Sequence, residues 1–290
     1  MADACTQGID TGFVALGYSK VAILGVVQGI TELMPISSTA HMRLVPALLG
    51  WPDPGSAFSA AMQLAALAAV VSYFWSDIRW LAVNSIAAAL RGRFSDRSFQ
   101  FSLWIVLATI PIVVVGLAMS KLLNSCNSPV RELSVIGWAC LVMAALLAIA
   151  EIAARHRRKA GDATLMDPLL IGIAQVGALI PGVSRSGSTL TAGLMLGFQR
   201  DEAARLSFLL GLPAIALAGL KEIWELHKAH IDGYAWSVLI VGIIVASISA
   251  FVAIWGLMRI LENFSSWPFV IYRFLLGAVI LIGVGIGWLS

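Results

Sequence analysis

Four stretches without a single Asp, Glu, Lys or Arg constrain this chain more than any other feature. They cover residues 98–120, 133–150, 233–258 and 274–290. A transmembrane helix needs about 20 apolar residues, so each stretch is long enough for a span. Charged residues make up only 12% of the chain, whereas soluble domains carry about 25%. Because the alternating polarity of barrel strands is missing, the prediction is an all-α, polytopic membrane helix bundle.

The apolar pattern extends along the whole chain. The predicted apolar segments are 13–49, 56–75, 99–120, 133–152, 168–198, 202–220, 234–258 and 269–289, with a shorter, partly interfacial helix at 78–90. Asp3 and Asp10 replace the basic start of a signal peptide, so no cleavage is expected. We interpret residues 1–290 as one integral membrane domain.

Two of the apolar segments are interrupted by proline. Segment 13–49 breaks at Pro35, segment 168–198 breaks at Pro181, and polar residues follow each break. The flanking stretches, such as 21–31, are too short to span a bilayer. Irregular backbone at membrane depth is tolerated only where protein or a water-filled cavity satisfies it. The sequence therefore predicts two re-entrant helical hairpins.

The two broken segments match each other at a fixed offset. The matching pairs are Gly25 and Gly172, Gln28 and Gln175, and Ser37 and Ser184. Three predicted spans separate the hairpins, so the prediction is a pair of inverted repeats at about 13–152 and 168–290. The basic loop 153–167 lies between them, and its RHRRK run, residues 155–159, is expected on the cytoplasmic side. The first hairpin would then enter the membrane from outside.

The second hairpin reads PGVSRSGST over residues 181–189. The planar guanidinium of Arg185 can hold two phosphate oxygens through parallel charge-assisted bonds. The hydroxyls of Ser184, Ser186 and Thr189, together with N–H groups at the start of the next helix, supply further donors. The motif has no Walker A lysine, so it predicts a phosphate cradle other than a nucleotide P-loop.

The first hairpin supplies an acid, two hydroxyls and an imidazole. Gln28 and Glu32 lie one turn apart on one helical face. Their oxygens suit a divalent cation, and substrate phosphates would complete the coordination shell of that cation. His41 can act as an acid, a base or a nucleophile. Ser37 or Ser38 could attack phosphorus once a base removes its proton. Together with Arg185 these groups predict a phosphoryl-transfer site.

Intramembrane charges are expensive to bury, and they favour function over packing. This applies to Glu32, Arg185 and Arg273. It applies less strongly to His41, because a neutral histidine costs less to bury. Arg273 could bind phosphate or pair with Glu32. Serine and threonine in membrane helices also form ordinary hydrogen bonds between helices, so that alternative stays open for each hydroxyl.

The sequence resembles the bacterial undecaprenyl-diphosphatase family of the bacitracin-resistance type, over nearly the whole chain. The matching motifs are QGITE (28–32), PISSTAH (35–41), PGVSRSGST (181–189), SFLLGLP (207–213) and YR (272–273). The chain departs from the family pattern at Ala40 and Ala65, where glycine is usual. Gln28 is within the pattern but removes one carboxylate from a metal site.

The resemblance implies hydrolysis of undecaprenyl diphosphate to undecaprenyl phosphate and inorganic phosphate, which recycles the lipid carrier for cell-wall synthesis. It implies a multi-pass protein of the bacterial inner membrane, with a site facing the periplasm and a need for Mg²⁺ or Ca²⁺. Carried over by position, the acidic motif is Gln28 and Glu32, the proposed catalytic pair is Ser38 and His41, and the phosphate-binding loop contains Ser184, Arg185, Ser186 and Thr189. Of the pair, we favour Ser38 as the nucleophile and His41 as the proton carrier.

A transporter or flippase of an anionic or polyprenyl-phosphate substrate is the main alternative, because inverted repeats with broken helices are typical of secondary transporters. An acid–base group beside a serine favours the enzyme. The expected partners are a polyprenyl diphosphate and the bilayer, without nucleic acid, and the protein could form a homodimer.

Overall fold

The computed structural model describes residues 5–6, 9–123 and 128–289, and most of them are helical. Two short antiparallel strands, β1 (Cys5–Thr6) and β2 (Ile9–Asp10), come first. The α-helices are α1 (Gly17–Leu33), α2 (Ser38–Leu49), α3 (Ser56–Ala61), α4 (Gln63–Tyr73), α5 (Trp75–Leu90), α6 (Arg97–Ala118), α7 (Ser120–Leu123), α8 (Leu133–Ala153), α9 (Met166–Val176), α10 (Arg185–Met195), α11 (Arg200–Lys228), α12 (Gly233–Asn263) and α13 (Trp267–Gly285). Short 3-10 helices lie at Gly12–Leu16, Pro129–Arg131, Ala160–Asp162 and Gly177–Leu179.

Within the described residues, seven helical stretches are long and apolar enough to cross a membrane. They are Gly12–Leu33, Ser56–Tyr73, Arg97–Ala118, Leu133–Ala153, Arg200–Lys228, Gly233–Asn263 and Trp267–Gly285. Six of them match predicted spans, so the all-helical membrane fold is confirmed. The seventh, Gly12–Leu33, shows that the prediction for 21–31 as too short to span was wrong. With the preceding 3-10 helix the stretch has 22 residues, which is long enough to span. The re-entrant hairpins and the inverted repeats stay predictions.

Glycines let two pairs of helices approach each other closely. A Cβ on Gly29 of α1 would overlap the carbonyl oxygen of Ala246 in α12. In the second half of the chain, a Cβ on Gly172 of α9 would overlap the carbonyl oxygen of Ala108 in α6. Small residues at such contacts are typical of membrane bundles, where backbone packing replaces the hydrophobic effect. These contacts place α1 against α12 and α9 against α6.

The other helices close the bundle around these two pairs. Helix α13 packs on α8, α12 on α4, and α11 on α4, α6 and α10. Large apolar side chains on the outer faces, among them Val106, Val114, Ile244 and Ile248, are more than half exposed. An apolar outer surface of this kind fits a lipid environment. Polar and charged side chains are buried inside the bundle instead.

Candidate active site

The two breaks share one backbone geometry. Ser37 has φ 74° and Ser184 has φ 70°, a left-handed conformation that is uncommon outside glycine and concentrates at functional sites. The Oγ of Ser37 accepts a hydrogen bond from Ala40 N at 3.4 Å, and the Oγ of Ser184 accepts one from Gly187 N at 3.2 Å. Each serine therefore caps the helix that follows it, and α2 and α10 start in the same way.

Direct hydrogen bonds join the first break to the second. Gly182 N donates to Thr39 Oγ1 at 3.0 Å, and Ser186 Oγ donates to Met34 O at 3.0 Å. Gly182 has φ 96°, and a Cβ there would lie 2.6 Å from Ile136 O, so no other residue fits without strain. The polar ends of both broken segments therefore meet inside the bundle.

Arg273 of α13 binds the backbone of both breaks. Its Nη1 donates to Pro35 O at 3.2 Å, and its Nη2 donates to Gly182 O at 2.8 Å and Val183 O at 3.0 Å. The side chain is 1% exposed, and a buried charge is stable only when such partners compensate for lost hydration. From the sequence, its expected partner was a phosphate or Glu32. The structure gives it backbone carbonyls instead.

Glu32 lies at the centre of the polar cluster. Its Oε2 accepts hydrogen bonds from Gln28 Nε2 at 2.9 Å and from Ser38 Oγ at 2.6 Å. Its Oε1 lies 3.6 Å from Arg185 Nη2. An acid of the first half, which accepts a hydrogen bond from a hydroxyl of the same half, thus meets the guanidinium of the second half.

These residues line a cavity of about 290 Å³. Gln28, Glu32, Ser38, Ser184 and Arg185 all contribute to its wall. The Nε and Nη2 atoms of Arg185 and the Oε1 atom of Gln28 are buried without a hydrogen-bond partner. Unsatisfied buried donors and acceptors are costly, so a polar ligand is favoured here: the guanidinium donors suit an anion, and the amide oxygen suits a donor or a cation.

His41 lies beside this cavity but is not one of its lining residues. Its Nδ1 is 2.7 Å from Ser37 O, and its Nε2 is 2.6 Å from Tyr272 OH. The structure therefore pairs Ser38 with Glu32, whereas the resemblance implied a pair of Ser38 and His41. Tyr272 was not predicted as a site residue, although it belongs to the YR motif (272–273).

Three of the predicted substrate-binding hydroxyls do not line the cavity. Ser37 is fully buried in the first break. Ser186 Oγ is bonded to the backbone of that break. Thr189 Oγ1 donates to Arg185 O at 2.7 Å and is bonded to Ser207 in α11. All three side chains therefore stabilise the backbone around the two breaks and do not face the cavity.

Comparison with known proteins identifies the family. Residues 21–279 match the family described as bacitracin resistance protein BacA. The chain belongs to this family. It is 72% identical to Undecaprenyl-diphosphatase 2 of Mesorhizobium japonicum, over 91% of this chain and 100% of that protein. It is 47% identical to Undecaprenyl-diphosphatase of Synechococcus elongatus, over 93% and 94% of the two chains, and 46% identical to that of Gloeobacter violaceus, over 92% and 91%.

The resemblance stated from the motifs is thereby confirmed, since all five motifs fall inside the matched region. In the part of the chain that the structure describes, no three His, Cys, Asp or Glu side chains converge on one point. A divalent cation would therefore have few protein ligands. The unpartnered Oε1 of Gln28 and the Oε1 of Glu32 are hard oxygen donors one helical turn apart, and they fit a cation whose remaining ligands are phosphate oxygens and water.

Two further residues, Gly211 and Gln175, lie next to Arg185. A Cβ on Gly211 of α11 would overlap Arg185 Nη1 and lie 3.5 Å from Gln175 Oε1. Gln175 is fully buried, and neither of its amide atoms has a hydrogen-bond partner. Sequence analysis named Gln175 only as the repeat partner of Gln28 and quoted Gly211 only within SFLLGLP. Gly211 gives the guanidinium the space that it occupies.

Proposed function

We propose that this protein hydrolyses undecaprenyl diphosphate to undecaprenyl phosphate and inorganic phosphate and so returns the carrier lipid to cell-wall synthesis. One observation carries the proposal: the contact of Ser38 with Glu32, opposite Arg185, inside a polar cavity. The family and the printed names of the relatives support this reading and favour a hydrolase over a transporter.

The shape of the cavity suits an amphiphilic substrate. An apolar groove of about 250 Å³ adjoins it, and Ile112, Leu179 and Ala214 line both spaces. Val113 and Leu217 continue the groove away from the polar cluster. A polyprenyl chain would remain in this groove and in lipid while its diphosphate reaches Arg185.

The chemistry follows from the hydrogen bonds of Ser38. Its Oγ donates to Glu32, so the carboxylate can take the proton as Oγ attacks the terminal phosphorus. The bond from that phosphorus to the bridging oxygen breaks, and undecaprenyl phosphate leaves. Water then attacks the phosphoserine, Glu32 returns its proton to the leaving serine oxygen, and inorganic phosphate is released with the water oxygen and protons. Arg185 neutralises the charge that develops on the phosphoryl oxygens.

Gln28 and Glu32 would hold the divalent cation, Mg²⁺ or Ca²⁺, and the cation would add neutralising charge at the diphosphate. His41 lies behind Ser38 with both ring nitrogens engaged. We assign it a positioning role at the first break through Ser37 and Tyr272, in place of the proton transfer expected from sequence.

The proposed location is the bacterial inner membrane, with the site facing the periplasm. The basic residues 155–159 follow the C-terminal end of α8, whereas Arg131, which lines the cavity, lies just before its N-terminal end. The positive-inside rule favours a cytoplasmic position for residues 155–159, and therefore a periplasmic position for the opposite end of α8.

Phosphate release from undecaprenyl diphosphate by the purified protein tests the proposal. Ser38→Ala should abolish turnover, and Ser59→Ala should leave it near the wild-type rate, because Ser59 lines the same cavity but its hydroxyl donates to Gly55 O. Labelled substrate should leave phosphate on Ser38 in a rapidly quenched reaction. Absence of cation-dependent release from the wild type would reject the proposed function.

A further inference from the structure

Three neighbouring cavities, each sharing lining residues with the next, extend from the candidate active site to the outer surface. Arg131 lines the main cavity and also a small neighbouring cavity of about 30 Å³. Arg43 and Asp53 line this small cavity and an outer one of about 250 Å³, which Trp51 and Trp288 border. Because neighbouring cavities share these side chains as walls, movement of the side chains would join the cavities into one path from the site to the outer cavity.

The narrow part of the path carries an excess of positive charge. Arg43 Nη1 donates to Asp53 Oδ2, and Arg131 Nη2 lies 3.6 Å from the same oxygen. Two guanidinium groups therefore share one carboxylate. The Nε of Arg43 is buried and has no hydrogen-bond partner. Guanidinium groups bind carboxylate and phosphate through the same fork of donors, so an incoming phosphate can replace Asp53 as their partner.

The two products of the proposed reaction have opposite solubilities. Undecaprenyl phosphate stays in the groove and in lipid, whereas inorganic phosphate must reach water. A groove lined by Ile112 and Leu179 is a poor route for such an ion, because an unpaired charge is costly in apolar surroundings.

We propose that Arg131, Asp53 and Arg43 form a binding and exit path for inorganic phosphate, with Asp53 as its gate. This inference rests on the proposed function. The small cavity of about 30 Å³ has room for one or two water molecules at most, so a phosphate ion passes only if these side chains move. Exchange of Asp53 for phosphate on the two guanidinium groups opens the path and gives the ion a transient site.

Product inhibition by inorganic phosphate, measured on the full-length purified enzyme, tests the path. Arg131→Gln removes one charged donor and should raise the inhibition constant for phosphate about tenfold. Asp53→Asn should lower that constant several-fold, because it removes the competing charge while the amide oxygen can still accept from Gly55 N, as Asp53 Oδ1 does. The matched control is Arg91→Gln, an exposed arginine at the end of α5, which should leave the constant unchanged.

Opposite shifts in the two path variants are a signature that general loss of folding does not produce. Size-exclusion chromatography is used to check that each variant is folded. Arg131→Lys keeps the charge, so its inhibition constant for phosphate should lie between those of the wild type and Arg131→Gln. ³¹P line broadening of inorganic phosphate follows binding without turnover, so the path can be tested even if the proposed function fails. Equal phosphate affinity in wild type, Arg131→Gln and Asp53→Asn would overturn the inference.

Discussion

A single added methyl group at Gly211 gives a sharp test of the site. A Cβ there would overlap Arg185 Nη1 and lie 3.3 Å from its Cζ. The neighbour is the end of a side chain, so the helix can remain while the guanidinium moves. An ordinary contact needs about 3.5 Å or more, so we expect a displacement of about 1 Å.

The loss of activity expected for Gly211→Ala follows from the distance between Arg185 and Glu32. At the present 3.6 Å, their attraction is about 4.6 kcal/mol with an effective dielectric constant of about 20, and one further ångström removes about 1 kcal/mol. Misplacement of a reacting group by about 1 Å can also cost about 10²-fold in rate. Gly211→Ala should therefore lower kcat about 100-fold.

Folding should be largely spared, since alanine gains up to about 1 kcal/mol over glycine in a helix interior. Phosphate-release kinetics and thermal melting in detergent measure the two effects separately. Gly256→Ala in α12 is the matched control, because a Cβ there meets nothing within 4 Å. Full activity of folded Gly211→Ala would refute the placement of Arg185 as a requirement for turnover.

Three further outcomes follow from the same geometry. Glu32→Gln keeps the shape but removes the base and the charge, so steady-state phosphate release should fall about 10²–10⁴-fold, and a fall below tenfold would contradict a role as base. Tyr272→Phe removes the hydroxyl bonded to His41 Nε2 and should reduce kcat several-fold with little change in KM; unchanged kcat would show that this contact is dispensable. A chelator such as EDTA should abolish turnover, and Mg²⁺ or Ca²⁺ should restore it; full activity in excess EDTA would exclude the cation from the reaction.

Sequence analysis predicted most of the fold because span length and proline act locally. The apolar runs predicted six of the seven candidate spans, and the breaks lie at Pro35 and Pro181 as expected. The first segment, 13–49, was predicted to start within one residue of the observed helical stretch, but its length before the break was underestimated. Gly12–Leu16 forms a 3-10 helix directly before α1, and hydropathy alone does not show that these residues are helical.

The site was predictable where rare charges were involved and unpredictable where a side chain had several partners in reach. Glu32 and Arg185 were expected to meet, and they do. The partners of His41 and Arg273 were not foreseen. Tyr272 is far from His41 in sequence, and the contact depends on how α13 packs on α8 beside the first break.

The sequence alone determined the membrane bundle, its two proline breaks and the chemical groups that follow them, because hydropathy and backbone restriction depend only on neighbouring residues. The tertiary structure decided which of these groups face the cavity. Ser38 reaches Glu32 instead of His41, and Arg273 binds backbone carbonyls instead of the acid, because the packing of helices far apart in the chain selects one partner among several that local spacing allows.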